Sequence, residues 1–412
     1  MTNPYWNFKK ANPKYGYVNN PFQADEAEHT NKHHPCGYWP VGAPLSSPTR
    51  IAYGHLFGAG RNLYYSLGLY PVTGEISLFT QSGGDTYVKK VVAGNSCSIV
   101  IKTDDTLWVV GLNTYGHLGT GDTVDVQTWT QILGSWLDVD SCAYGGHTLA
   151  IKTDGTLWAA GRNDQGQLGI GNTDNKTSFT QVGTSNKWRK VYVAPYHSFA
   201  LNDDGNVFTF GHDNYGAMGL GVQSSSETSP VYVSSLSNVS QIACLFNSTL
   251  AIDTSGTLFG TGYNSMGELG FNDTTKRLLF TENTLIGPGI KFINGGTYNI
   301  TSLLIDRNDL MYGAGTNGYN VMGIPGTGNK LVFTLLPGEG WLSCGTERAS
   351  SIALKINGEL WGVGRNTYGQ LGLGDKVART EWERIGSDLW NAVNLGDFHA
   401  MAINWTGTSV WM

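Results

Sequence analysis

At 412 residues the chain is long enough for two or three ordinary domains, yet only 14% of it is charged and 56 residues are glycine. A net charge of −6, with lysines and arginines grouped no more densely than Lys89-Lys90 or Lys187 to Lys190, excludes the basic surface that tracks nucleic-acid phosphates. Cys36, Cys97, Cys142, Cys244 and Cys344 form no close-spaced pair; they read as small buried residues, which excludes a disulfide framework.

Residues 1–50 hold seven of the 13 prolines, so neither a regular helix nor a central strand fits them. Tyr5, Trp6, Phe8, Tyr15, Tyr17, Phe22, Tyr38 and Trp39 punctuate the same stretch. The expectation is an extended anchoring arm that lays these rings on the flank of the main domain or on a neighbouring subunit. His29, His33, His34 and Cys36 are metal-like in type, but they lack a second half-site and read as a solvated loop. No metal or cofactor is expected. The N-terminus shows no charged-then-apolar leader, and no apolar run approaches a membrane span.

From Gly54 onward one fifteen-residue pattern recurs, most clearly as GTLWAAGRNDQGQLG from Gly155 to Gly169. Its copies start at Gly54, Asp105, Gly155, Gly205, Gly256, Asp309 and Gly358, in steps of 51, 50, 50, 51, 53 and 49 residues. A fixed period of this size marks a repeat architecture. In each unit two β-favouring runs flank a turn dipeptide, as His147 to Trp158 flank Asp154-Gly155, which predicts a tight two-residue hairpin with φ > 0 at both positions. About fifty residues accommodate about four strands, and no window has a helical apolar period. A lone four-stranded sheet cannot bury both faces, whereas sheets stacked radially can. The fold class is therefore all-β, a seven-bladed β-propeller of four-stranded antiparallel blades.

Three columns of the repeat are assigned to packing. Phe57, Trp108, Trp158, Phe208, Phe259, Tyr312 and Trp361 place a ring three residues after each turn, to fill the gap between blades. Gly60, Gly111, Gly161, Gly211, Gly262, Gly315 and Gly364 mark a backbone position barred to side chains. Leu67, Leu118, Leu168, Met218, Leu269, Met322 and Leu371, each followed by glycine, supply a buried apolar anchor. The first copy lacks the strand that should precede it, and Asp397 to Gly407 matches that half-unit. N- and C-terminal strands should thus close one blade, with residues 51–412 forming the propeller and 1–50 the arm.

The run G-x-L-W-x-x-G-x-N-x-x-G-x-L-G, preceded by H-x-x-A-[IL], resembles the repeat of the regulator of chromosome condensation family over about 360 residues. That resemblance implies a seven-bladed propeller. The family histidine stands at His147, His197 and His399, but Cys97, Ser248, Thr301 and Ser350 replace it elsewhere, and Asn320 replaces a glycine. The family's founding member binds chromatin and exchanges nucleotide on a small GTPase. The acidic charge and the absence of a long insertion between repeats argue against both activities here.

No catalytic set emerges. Asp104-Asp105 and Asp203-Asp204 occupy turn positions, where aspartate bonds its own backbone. A phosphate loop, a nucleophile elbow and a zinc-protease motif are all missing. A sialidase-like glycan enzyme, the third reading, needs converging arginines with a tyrosine nucleophile, and no such set is recognisable in sequence. The candidate binding residues come from two columns that should emerge on one face. Ten residues past the turns stand Tyr64, Tyr115, Tyr215, Tyr319 and Tyr368; three residues earlier, a variable column carries Arg61, Arg162 and Arg365. The same tyrosines also suit plain loop packing. The resulting expectation is a non-enzymatic interaction and structural module whose partners are proteins, not nucleic acid or membrane. Its expected place is the surface of a bacteriophage virion, on capsid or tail, with the arm as anchor and other virion proteins or a host surface component as partners. The alternative is a bacterial cytoplasmic adaptor or inhibitor that clasps one protein.

Overall fold

In the unit with the clearest repeat, Trp136–Ser141, His147–Lys152, Leu157–Gly161 and Lys176–Gln181 pair in that order as an antiparallel sheet. The computed structural model describes residues 54–405, apart from 85–86, 143–144, 224 and 297–299. Seven such four-stranded sheets are present, and one short 3-10 turn, Gly318–Asn320, is the helical content among the described residues. The chain divides into Met1–Cys36, which lies outside the described residues, and Gly37–Met412, to which every described residue belongs. All eight aromatic arm residues and the His29–Cys36 cluster therefore fall outside the description.

The inner strand of each blade touches the next, and the last, Trp390–Leu395, touches the first, Val88–Ala93, so the ring is closed. The closing blade takes two strands from each side of the chain: Trp390–Leu395 and His399–Asn404 pair onward to Leu56–Arg61 and Glu75–Gln81. The C-terminal side thus supplies two strands, one more than the half-unit read from Asp397. At the join, Asn404 N donates to His55 O at 3.0 Å and His55 N donates to Asn404 Oδ1 at 2.8 Å. Gly54 stands where the other blades place their hairpin glycine, and a Cβ there would meet Asn404 O at 1.9 Å.

The hairpins differ from expectation. Lys152 N bonds Thr156 O and Gly155 N bonds Lys152 O, which makes a three-residue loop instead of a two-residue one. Within it Gly155 alone has positive φ, +80°, and the equivalent Asp105 and Asp309 sit at 66° and 63°. A type I turn followed by one left-handed residue needs only that second position to be permissive, which aspartate tolerates.

The glycine column has both reasons to exist. Gly161 has φ +108°, and a Cβ on it would lie 2.4 Å from Gly146 O. The apolar anchors are fully buried, all seven at 0% exposure. The predicted inter-blade rings do pack against the neighbouring blade, as Trp158 does on the cluster of Ile99, Leu107 and Val109, but they are half-buried. More deeply buried are the tryptophans of a column the sequence reading missed, the first residue of the inner strand: Trp136, Trp188, Trp341 and Trp390. Missed as well were the outer-strand rings Phe79, Trp129, Phe179, Phe280, Phe333 and Trp382, each seated on the post-anchor glycine of the preceding blade. In the third blade Pro230 takes that register position, and Phe210 covers Gly169 instead.

Along the axis the inner strands have one edge without a strand partner, and side chains satisfy it. Val191 N and Val193 N donate to Asp138 and Asp140, Thr346 N donates to Asn294, and Ala93 N donates to Asn394 at 2.9 Å. The axial cavity that remains is about 110 Å³, lined by Asp140, Ser141, Tyr192, Asn294, Thr346, Glu347 and Asn394 among others.

Candidate functional site

The loops that follow each third strand are built by one buried polar residue. In the second blade Asn163 Oδ1 accepts from Leu168 N at 2.9 Å, while its Nδ2 donates to Asn172 O at 2.8 Å. Asn62, Asn113, Asn264, Asn317 and Asn366 repeat the arrangement, all at 0% exposure. The third blade has Asp213 instead, which can accept from Met218 N but has no amide to donate. Burial pushes its carboxyl up to about 6. Four residues past the asparagine, Gln167 and Gln370 hold the loop backbone, and Glu268 takes that place in the fourth blade, pushed up to about 7 by burial. Tyr65 and Asn320, which replace a glycine of the repeat, adopt its left-handed backbone with φ 63° and 56°.

On this scaffold the tyrosine and variable columns meet between blades. Arg162 lies over the ring of Tyr115 from the preceding blade, 5.6 Å from its centroid, and also pairs with Asp164 at 2.6 Å. Arg365 lies over Tyr319 at 5.9 Å, Arg61 over Tyr368 at 5.5 Å, and Tyr263 against Tyr215 at 4.9 Å. Each is the same step from one blade to the next. Tyr64, Tyr115, Tyr215 and Tyr319 remain exposed, whereas Tyr368 is half-buried.

Arg61, Arg348 and Arg365 converge, a grouping that the linear spacing of 287 and 17 residues conceals. One of them has an ion pair there: Asp397, 5% exposed, has its Oδ1 2.7 Å from Arg348 Nε. Burial raises the Asp397 carboxyl to about 6, against the pull of Arg348, Arg61 and Arg365. Phe398 is sandwiched into the cluster, 4.3 Å from Arg348 Cζ and 5.2 Å from Arg61 Cζ. The converging arginines that sequence could not show do exist, but they gather around the rings of Tyr368 and Phe398, and Arg348 pairs with the protein's own carboxylate. Arg348 carried no repeat signal, because it lies in a loop whose length varies between blades.

The family histidines are packing groups. Ser198 Oγ donates to Gln167 O at 2.8 Å, so its contact of 2.9 Å with His147 must take the proton from Nε2. Burial holds His147 and His197 down to about 3, and His117 and His399 to about 4. Cys97, Cys142, Cys244 and Cys344 are buried thiols, none in a disulfide. Among the described residues no group of three His, Cys, Asp or Glu could hold a metal, and no helix is long and apolar enough to cross a membrane.

The model of the regulator of chromosome condensation (RCC1) repeat matches residues 154–201, 204–252 and 357–403. The chain carries RCC1 repeats. The ring is similar to Prp20p from Saccharomyces cerevisiae, solved in work on its binding to Gsp1p and histones: TM-score 0.76, 18% identity, 87% of this chain and 94% of that one. It is similar also to human WBSCR16, with TM-score 0.74, 19% identity, and 86% and 100% coverage. Yeast RCC1 (Prp20) in its complex with Kap60 gives TM-score 0.76 at 17% identity, over 93% of this chain and 96% of that one. No curated relative matches in sequence. At these identities the shared property is the RCC1 propeller itself.

Proposed function

We propose that this RCC1-type ring is a non-catalytic protein-binding module that assembles onto a larger particle, a bacteriophage capsid or tail, with residues 1–50 as the anchor. The observation that carries the binding reading is the run of stacked Arg and Tyr side chains on one loop face, residue types that dominate interface energetics. Protein ligands of similar propellers, Gsp1p and histones for Prp20p, support the same class of activity. The arm's proline and aromatic content supports the anchoring role. Deleting residues 1–50 should leave a folded ring that no longer enters particles. Normal incorporation of the truncated chain would refute the anchor.

A second reading shares the face but not the particle: a bacterial adaptor or inhibitor that clasps one soluble protein. The clustering of three arginines around Tyr368 and Phe398 at a single blade junction favours a discrete contact of this kind. Arg61→Ala, Arg162→Ala and Arg365→Ala combined should weaken partner capture in either case. Unaltered affinity would move the interaction to another surface.

A further inference from the structure

We propose that the loop-face junction between the third and fourth blades, walled by Tyr196, Tyr215, Phe246 and Tyr263, binds arginine or lysine side chains from a basic segment of the protein partner. The proposal rests on reading the loop face as protein-binding and names the partner chemistry that this junction takes.

The other junctions show what this one lacks. At three of them an arginine lies over the tyrosine of the preceding blade: Arg162 on Tyr115, Arg365 on Tyr319 and Arg61 on Tyr368, at 5.6, 5.9 and 5.5 Å from the ring centroids. The same step from the third blade to the fourth brings Tyr263 against Tyr215 at 4.9 Å, two rings and no arginine. Their planes are tilted by 54°, so neither ring fully covers the face of the other, and Tyr215 is 37% exposed.

A second pair of rings belongs to the same junction. Tyr196 and Phe246, on the inner loops of the two blades, meet edge to face at 6.0 Å. Tyr196 O accepts from His212 N at 2.8 Å, and Asn247 O accepts from Tyr263 N at 2.9 Å. Both pairs therefore sit at the same ends of the same two blades. Tyr196, Phe246 and Tyr263 are half-buried, which fixes the rings and leaves part of each in contact with solvent. Aromatic faces attract a cation through their quadrupoles, most strongly where several are grouped.

Charge selects a cation over other ligands of aromatic surfaces. Asp213 is the one acid in a column otherwise made of asparagine, and it is fully buried two residues before Tyr215. Burial pushes its carboxyl up to about 6, and above that pH it places a negative charge beneath the tyrosine loop. Arg162, whose charge reaches Tyr196, is already paired with Asp164 at 2.6 Å. The net charge of −6 draws a basic segment toward the ring. A proline-rich segment would use the rings but gain nothing from Asp213.

The probe is a fluorescein-labelled hexaarginine peptide titrated into the full chain and followed by anisotropy, with hexaproline as an equally labelled comparison. Salt at about 0.15 M screens long-range attraction between exposed charges. We expect saturable hexaarginine binding that weakens about fivefold or more in Tyr215→Leu and in Tyr263→Leu but survives in Tyr263→Phe, which keeps the ring. Tyr263→Arg gives this junction the arginine that three others have, and should weaken binding as far as Tyr263→Leu does. Asp213→Asn should weaken it as well. Tyr232→Leu should leave it unchanged, since Tyr232 packs on Phe208 toward the hairpin end of the third blade. Thermal melts establish that each variant is folded. No saturable binding, equal affinity in the folded leucine variants, full binding by Tyr263→Arg, or tighter binding of hexaproline would each overturn the proposal. If hexaarginine fails while the combined alanine variant at Arg61, Arg162 and Arg365 still weakens partner capture, the cation site falls and the interaction face stands.

Discussion

The imidazole Nε2 of His399 lies 3.0 Å from the hydroxyl of Ser98, joining residues 301 positions apart across the seam of the ring. The same contact, His147 to Ser198, links the second and third blades, where the chain is continuous through both. At the seam it does more, because no covalent hairpin joins His399–Asn404 to Leu56–Arg61.

The seam should be where the ring opens. Asn394→Ala leaves Ala93 N–H without its acceptor, at a cost of about 1–3 kcal/mol, and Asn294→Ala does the same to Thr346 N–H within the continuous chain. We expect amide exchange in Leu56–Arg61 to accelerate more in Asn394→Ala than exchange in Ser350–Lys355 does in Asn294→Ala. Equal acceleration would mean that the seam is no weaker than any other junction.

Asp213 and Glu268 stand where other blades place Asn and Gln, and both carboxyls are raised in the fold, to about 6 and about 7. The native state therefore holds protons that the unfolded chain has already lost. Stability falls as pH rises from about 4 through those folded values. Asp213→Asn and Glu268→Gln should each add on the order of 1–3 kcal/mol at pH 7.5 and little at pH 4. Urea unfolding at both pH values measures this; a destabilised Asp213→Asn would show that the carboxylate has a partner the amide cannot replace.

The buried histidines act in the opposite sense. Their folded values of about 3 to 4 lie below the unfolded 6.5, so the unfolded chain binds protons first as pH falls. Their contribution is complete above pH 6.5 and is lost as pH drops toward 4. His147→Gln should lower stability at pH 7.5 by about 1 kcal/mol yet flatten the decline between pH 6.5 and 4 relative to the parent. An unchanged slope would exclude His147 as a source of acid sensitivity.

Among the tryptophans, depth should outrank prominence in the repeat. Trp136 is 1% exposed, while Trp158 is half-buried with Lys152 Nζ 3.7 Å above its ring. Trp136→Ala should cost about 3–5 kcal/mol and Trp158→Ala less, by thermal or chemical unfolding. The reverse order would contradict the deeper burial of Trp136.

Blade number, strand order and the glycine and anchor columns were legible because each depends on residues within one unit. Gly161 needs a left-handed backbone whichever blade adjoins it, and Leu168 is held by Asn163 five positions away. Such local constraints recur at a fixed period, so a single chain displays them seven times over. The hairpin was misread in detail because Asp-Gly serves both two- and three-residue loops, and the choice lies in the hydrogen bond from Lys152 N to Thr156 O.

What only the tertiary structure decided lies between units. Phe179 meets Gly119, Tyr368 meets Arg61, and Arg348 meets Asp397 because neighbouring blades face one another, which no single unit specifies. Arg61 and Arg365 lie more than three hundred residues apart and flank one ring, Tyr368, only because the propeller closes. A repeat encodes the shape of its module through short-range backbone and packing rules. The charge that collects at a junction depends on which modules become neighbours, and here the closure of the circle sets that.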